Sequence, residues 1–189
     1  SVLVFDQAKK NQSSSVAVGL FHPMAFRKTQ FSWMGLEVFN QAFEFYSKYY
    51  SSLVNAIPLY RIFSDIQEYN RWFERSGEKA YSSILQSPET QSFIEAKHGL
   101  GAVLKCAKLQ VQDFLKYNRE ELQKQNSYYE GAFPYNLVDL TTNSVLVDDI
   151  EIEFKHIVFC EGLGVSKNPF FADLKFHPAK GDVLKVELG

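Results

Sequence analysis

The stretch SVLVFDQAKKNQSSSVAVGLFHP, residues 1–23, decides how this chain is read. Val2 to Phe5 is apolar without alternation, the pattern of a short strand covered on both faces. It ends at Asp6. A carboxylate at the carboxyl end of a buried parallel strand is the group that hydrogen-bonds a ribose hydroxyl in dinucleotide-binding sheets. A polar loop, residues 7–12, leads to Ser13, Ser14 and Ser15. Their hydroxyls and the loop's backbone N–H groups suit phosphate oxygens. Gly19, followed by Leu20, lets a flat ligand approach the backbone.

A second stretch of the same kind is HIVFCEGLG, residues 156–164. Ile157 to Cys160 reads as another buried strand, ending in Glu161 and Gly162. Open α/β sheets bind their ligands outside the carboxyl ends of the strands. If the two strands are parallel neighbours, Asp6 and Gly162 share one edge.

With both stretches in hand a resemblance becomes specific. VLVFD followed by SSSVAVGLFHP resembles the second strand and following loop of FAD-dependent oxidoreductases of the D-amino-acid-oxidase/glycine-oxidase type. HIVFCEGLGVSKNPFFADLKFHPAKGDVLKV, residues 156–186, resembles that family's strand-to-glycine turn beside the flavin and the return into the substrate domain. The resemblance implies a mixed α/β fold: part of a Rossmann-like FAD-binding domain, residues 1–50 and 108–165, interleaved with an antiparallel-sheet substrate domain, residues 51–107 and 166–189. It implies oxidation of the C–N bond of an amine or amino acid by hydride transfer to FAD. The implied cofactor contacts are Asp6, Ser13, Ser14, Ser15, Gly19, Leu20, Phe133, Glu161 and Gly162. Ala132 and Phe133 would meet the adenine.

The family's opening strand, G-x-G-x-x-G turn and pyrophosphate-binding helix have no counterpart here, since Gly162-Leu163-Gly164 runs on into Val165-Ser166-Lys167. The chain is therefore read as an internal portion of a longer flavoenzyme. By itself it is expected to hold no FAD and to leave a sheet edge prone to self-association. The same residues without the resemblance describe an α+β binding or structural module with no catalysis of its own, and that alternative stays open.

Composition narrows the partners. The 189 residues carry a net charge of −2 and are 46% hydrophobic and 15% aromatic, enough for a sizeable core and no electrostatic case for nucleic acid. No apolar run is long enough to span a bilayer, and the start lacks a signal-peptide pattern. Cys106 and Cys160 lie in apolar, strand-like runs and read as buried free thiols of a cytoplasmic protein. The four histidines show no metal-ligand spacing.

Between the two stretches the periodicities are ordinary. Leu36, Phe39, Phe43, Tyr46 and Tyr50 form one face of a helix over Ser32–Tyr50, with Ser32 as its cap. Ile57 to Phe63 reads as a strand. Arg61, in its middle, faces solvent, pairs with a buried acid, or points into a substrate cavity. Asp65 to Glu68 is a capping-box start, with Tyr69, Trp72 and Phe73 on the apolar face. Residues 76–95 read as irregular, with a short helix near Ala80 to Leu85. Leu100 to Ala107 reads as one strand and Val111–Gln125 as a helix. Tyr128 to Phe133 is a strand, and Leu137 to Phe154 alternates as a hairpin or meander, with Asp148-Asp149 as turn residues. Val183 to Leu188 reads as a last strand, joining Ile57–Phe63 and Leu100–Ala107 in an antiparallel sheet. His22, Arg27 and Arg61 are the polar residues left for substrate or flavin contact, and none is assigned a catalytic role.

Overall fold

The computed structural model describes residues 1–7, 12–89, 95–179 and 181–186. The chain forms two compact units, Lys10–Glu121 and the pair Ser1–Lys9 with Leu122–Gly189. Its strands are β1 (Val4–Asp6), β2 (Leu20–Phe21), β3 (Met24–Ala25), β4 (Gln30–Phe31), β5 (Val54–Ala56) and β6 (Leu59–Ile62). They continue with β7 (Leu100–Val103), β8 (Ala107–Leu109), β9 (Tyr128–Glu130), β10 (Val138–Asp139), β11 (Ser144–Val147) and β12 (Ile150–Glu153). The helices are α1 (Gly35–Tyr49), α2 (Ile66–Gly77) and α3 (Val111–Lys124). The protein is thus mixed α and β, with several small, mostly antiparallel sheets. Among the described residues no helix is long and apolar enough to cross a membrane.

In the unit Lys10–Glu121, β6 and β7 pair antiparallel with Tyr60 opposite Ala102. Trp72 of α2 lies over β7, only 1% exposed, among Phe63, Tyr81, Ile84, Leu85 and Val103. Its indole N–H donates to the Gln86 carbonyl at 2.8 Å, so the polar end of the ring is satisfied. A methyl at Gly101 would stand 2.2 Å from that ring, which is why β7 carries glycine there. A second core forms where Phe39, Phe43 and Tyr46 of α1 meet Val54, Ala107, Leu109, Val111 and Phe114. Core packing is therefore the role of the α1 aromatic stripe. α2 begins as its sequence implies, with Asp65 accepting the Glu68 N–H at 2.8 Å.

Four expectations for this unit need correction. Ser32 does not cap α1: its hydroxyl donates to the Pro23 carbonyl, and the cap position is Met34 in the left-handed region, φ 48°. Leu100 to Ala107 is not one strand, because Leu104 leaves the β6 pairing and donates its N–H to Ile84. The chain then enters a different sheet, ordered β2-β8-β5. Phe73 is 58% exposed and adds nothing to the α2 core face. The segment near Ala80 to Leu85 makes turns rather than a helix, although the Tyr81 carbonyl accepts from Leu85 four residues on.

In the other unit β1 and β9 run parallel, with Phe5 opposite Tyr129, and β10-β11-β12 form an antiparallel meander. The tight turn of β11–β12 uses Asp148 (φ 47°) and Asp149 (φ 65°), the two left-handed residues that a type I′ hairpin needs. The pairing of Val2–Phe5 with Ile157–Cys160 does not form. Among the described residues Ile157 to Cys160 has no strand partner, with Val158 80% exposed, and β9 takes the place beside β1. Val183 to Val186 is likewise outside any sheet, and residues 187–189 fall outside the described residues. Cys160 is exposed rather than buried, whereas Cys106 is buried.

Candidate functional site

The residues expected at the site fall in both units. In the unit holding β1, Asp6 is the last residue of that strand and is half-buried. Its carboxylate accepts the Tyr128 hydroxyl at 3.1 Å, and its backbone carbonyl accepts the Gly131 N–H at 3.0 Å. The second bond keeps the carboxyl ends of β1 and β9 side by side. Phe133, two residues further on, sets its ring edge-on to Phe5 at 5.2 Å. The parallel pair therefore brings Asp6 and Phe133 to one end of one small sheet.

Glu161 and Gly162 lie on the same unit without a strand to position them. Glu161 accepts from the Tyr135 hydroxyl and, at 2.7 Å, from the side-chain amide of Asn168. Asn168 is fully buried, and its carbonyl oxygen caps the short turn Pro169–Phe171 by accepting the Phe170 N–H. Gly162 has φ 55° and opens a 3-10 turn, Gly162–Lys167, with open space around its α-carbon. The aromatic rings of Phe133, Tyr135 and Phe159 pack together beside them. An open groove of about 300 Å³ on this unit is lined by Phe154, His156, Phe159 and Phe170 among others, and includes none of the expected residues.

Ser13, Ser14, Ser15, Gly19 and Leu20 belong to the unit Lys10–Glu121. The serines open the 3-10 turn Ser13–Val16. The Ser15 hydroxyl donates to the Gln12 carbonyl at 2.7 Å, and the Ser15 carbonyl accepts from Gln112 at 2.8 Å; Ser13 and Ser14 are exposed. Gly19 adopts φ 78°, and a methyl on it would meet the Leu109 carbonyl oxygen at 2.0 Å. The close approach that demands glycine is thus made by β8, whose Leu109 N–H donates to the Gly19 carbonyl at 2.9 Å. Leu20 is 38% exposed on β2.

Two of the three residues left for substrate or flavin contact meet on one ring. The His22 ring lies tilted against Phe26, centroids 4.7 Å apart, and the Arg61 guanidinium lies over the same ring at 5.7 Å. Burial holds the His22 pKa below its ordinary value, so the ring is neutral near pH 7. Its Nδ1 accepts the Met24 N–H at 3.3 Å, which leaves the proton on Nε2. Arg61 pairs with a buried acid: its Nε donates to Glu68 at 2.8 Å, and the Glu68 side chain is 4% exposed. Glu68 also accepts the N–H and the hydroxyl of Ser64. Burial alone would raise the Glu68 pKa, but the Ser64 and Arg61 hydrogen bonds outweigh it and hold the carboxyl below its usual range. Arg27 is exposed in the 3-10 turn Phe26–Lys28.

Sequence reading missed Glu68 as the partner of Arg61, Tyr128 as the partner of Asp6, and Asn168 as a buried polar anchor. The first had a signal. Glu68 sits in a capping box a few residues after a strand that carries a mid-strand arginine between apolar neighbours, and a buried acid needs such a partner. The other two join residues through tertiary contacts that no local pattern encodes. No protein-family model matches the chain, and no solved structure matches its fold.

Proposed function

We propose that this chain is part of an FAD-dependent oxidoreductase acting on the C–N bond of an amine or amino acid, and that Asp6 receives the adenosine ribose of the cofactor. The observation that supports the reading is the β1–β9 pair: two parallel strands, a carboxylate closing one, and an aromatic following the other. The acceptor suits a ribose, whose hydroxyls donate to a carboxylate. Phe133 would give the adenine an apolar neighbour. The pyrophosphate is another matter, because the chain has no G-x-G-x-x-G turn to supply backbone donors. FAD would supply the hydride acceptor, and this chain's residues would hold its adenosine end. His22, Arg27 and Arg61 are the polar side chains nominated for substrate or flavin contact, and no catalytic residue is assigned.

The test is FAD affinity in the longer protein. Asp6→Ala is expected to weaken binding by about 1–3 kcal/mol, the scale for removing a hydrogen bond to a charged group. An unchanged dissociation constant would refute the assignment. The 189-residue chain by itself is expected to stay colourless with added FAD. A non-catalytic α+β module is the second reading, and a specific pair of contacts favours it. Gly19 and Glu161 are each taken up by the fold itself, one against Leu109 and the other by Tyr135 and Asn168. A longer protein that is colourless and gains nothing from FAD would decide for the module.

A further inference from the structure

Two runs in the unit that holds β1 have the composition of strands and no ladder. They are residues 157–160, IVFC, and residues 183–186, VLKV. Among the described residues, no backbone N–H or carbonyl of either run has a hydrogen-bond partner. Main-chain groups left open over the length of a strand are a template for another strand. The first run also has a strand's two faces. Ile157 and Phe159 are half-buried, whereas His156, Val158 and Cys160 are exposed. Ile157 and Phe159 line the open groove of about 300 Å³ together with Phe154 and Phe170. The groove therefore lies beside the vacant main chain.

We infer that residues 157–160 receive residues 183–186 of a second copy of this chain as an added β-strand, and that two copies exchange these strands reciprocally. Three observations choose that occupant. First, the vacancy is one of main-chain groups, and an extended main chain supplies alternating donors and acceptors along it. Second, the chain carries a strand of matching length that is free to be given. Val183, Leu184 and Val186 are 60%, 89% and 68% exposed, and valine is a strong strand former. The neighbouring residues 174–179 are also outside any sheet, but Pro178 among them has no N–H to donate. Third, the spacing fits the groove. With period two, Leu184 and Val186 share one face and extend the apolar row of Ile157 and Phe159, while Lys185 turns to the solvent side with Val158. Within one copy the two runs lie in the same unit and no hydrogen bond joins them, so the second copy is the source. Reciprocal exchange fills both vacant sites about one twofold axis. Each pairing is short, so the dimer is weak and concentration-dependent.

The experiment is hydrogen exchange read by mass spectrometry on the 189-residue chain, at low micromolar and at submillimolar concentration. The amides of residues 157–160 and 183–186 are expected to exchange freely in the dilute sample and at least about tenfold more slowly in the concentrated one. Sedimentation equilibrium should show a dimer over the same range. Deleting residues 182–189 should abolish both effects. A peptide with the sequence of residues 180–189 should then restore the protection of residues 157–160 without restoring the dimer. Leu184→Pro combined with Lys185→Pro removes two adjacent N–H groups, which point to opposite edges of a strand. That variant should lose the dimer with an unchanged circular dichroism spectrum. Amides that stay unprotected at every concentration overturn the inference. So does protection independent of concentration, which would mean pairing within one copy, or a dimer that survives the deletion.

Discussion

Glu68→Gln should remove more stability than any other single change of one functional group in the unit Lys10–Glu121. The carboxylate is almost fully buried and accepts three hydrogen bonds, from Arg61 at 2.8 Å, the Ser64 N–H at 2.8 Å and the Ser64 hydroxyl at 3.0 Å. The amide keeps one acceptor oxygen and turns an NH₂ toward a donor, either Arg61 or the Ser64 N–H. A hydrogen bond to a charged group contributes about 1.5–3 kcal/mol net. The Arg61 side chain is 40% exposed, so its share is discounted for solvent screening. Glu68→Gln is therefore expected to cost about 2–4 kcal/mol, a large part of a typical folding free energy. The assay is urea unfolding followed by tryptophan fluorescence. Of the two tryptophans, Trp72 is buried and Trp33 is 86% exposed, so a Trp33→Phe background reports the Trp72 core alone. The pH dependence gives a second readout. The folded-state pKa of Glu68 lies below its unfolded value, so the stability it contributes is present above the unfolded value and lost as pH falls through the folded one. The gap between wild type and Glu68→Gln should close under acid, below about pH 4. A difference under about 0.5 kcal/mol at pH 7, or a gap that does not change with pH, would refute the reasoning.

Gly101→Ala should cost about 1–3 kcal/mol by overpacking and should shift Trp72 emission, since the new methyl falls 2.2 Å from the indole. Thiol titration with a chromogenic disulfide should find one fast group in the native protein. That group is Cys160; burial raises the Cys106 pKa, and Cys106 should react only on unfolding. Asp149→Gly should hold or raise the melting temperature, because φ 65° in a type I′ turn suits glycine better than aspartate; a fall of several degrees would count against that turn assignment.

The local features of the fold were legible where a single periodicity or turn rule governed them. The α1 stripe, the Asp65 cap and the Asp148-Asp149 turn all follow from side-chain spacing or backbone preference. Partner choice in the sheets did not follow. Ile157 to Cys160 has the composition of a buried strand, yet Tyr128–Glu130 pairs with β1 instead. Composition records what a strand would tolerate around it, not which neighbour is present to form the ladder. The break after Val103 was invisible for a related reason. Leu104, Cys106 and Ala107 continue the strand-like reading, and only the tertiary bond to Ile84 shows the chain leaving one sheet for another.

Glycine shows most clearly how far the site could be read. In sequence, Gly19 marks a place where something comes close to the backbone, and the structure supplies that something as the Leu109 carbonyl on β8. Gly162 marks a similar place, yet nothing stands near its α-carbon, and its φ of 55° meets only the needs of its own turn. One glycine is thus required by packing and the other by backbone conformation, although both looked alike as ligand-approach positions. Asp6 differs from them in kind. It is a side-chain acceptor, not a backbone position, and it closes a strand that pairs parallel with β9. Open α/β sheets bind their ligands outside the carboxyl ends of such strands. That position, with Phe133 at the same end of the pair, gives Asp6 the strongest claim to a ligand among the residues named for the cofactor.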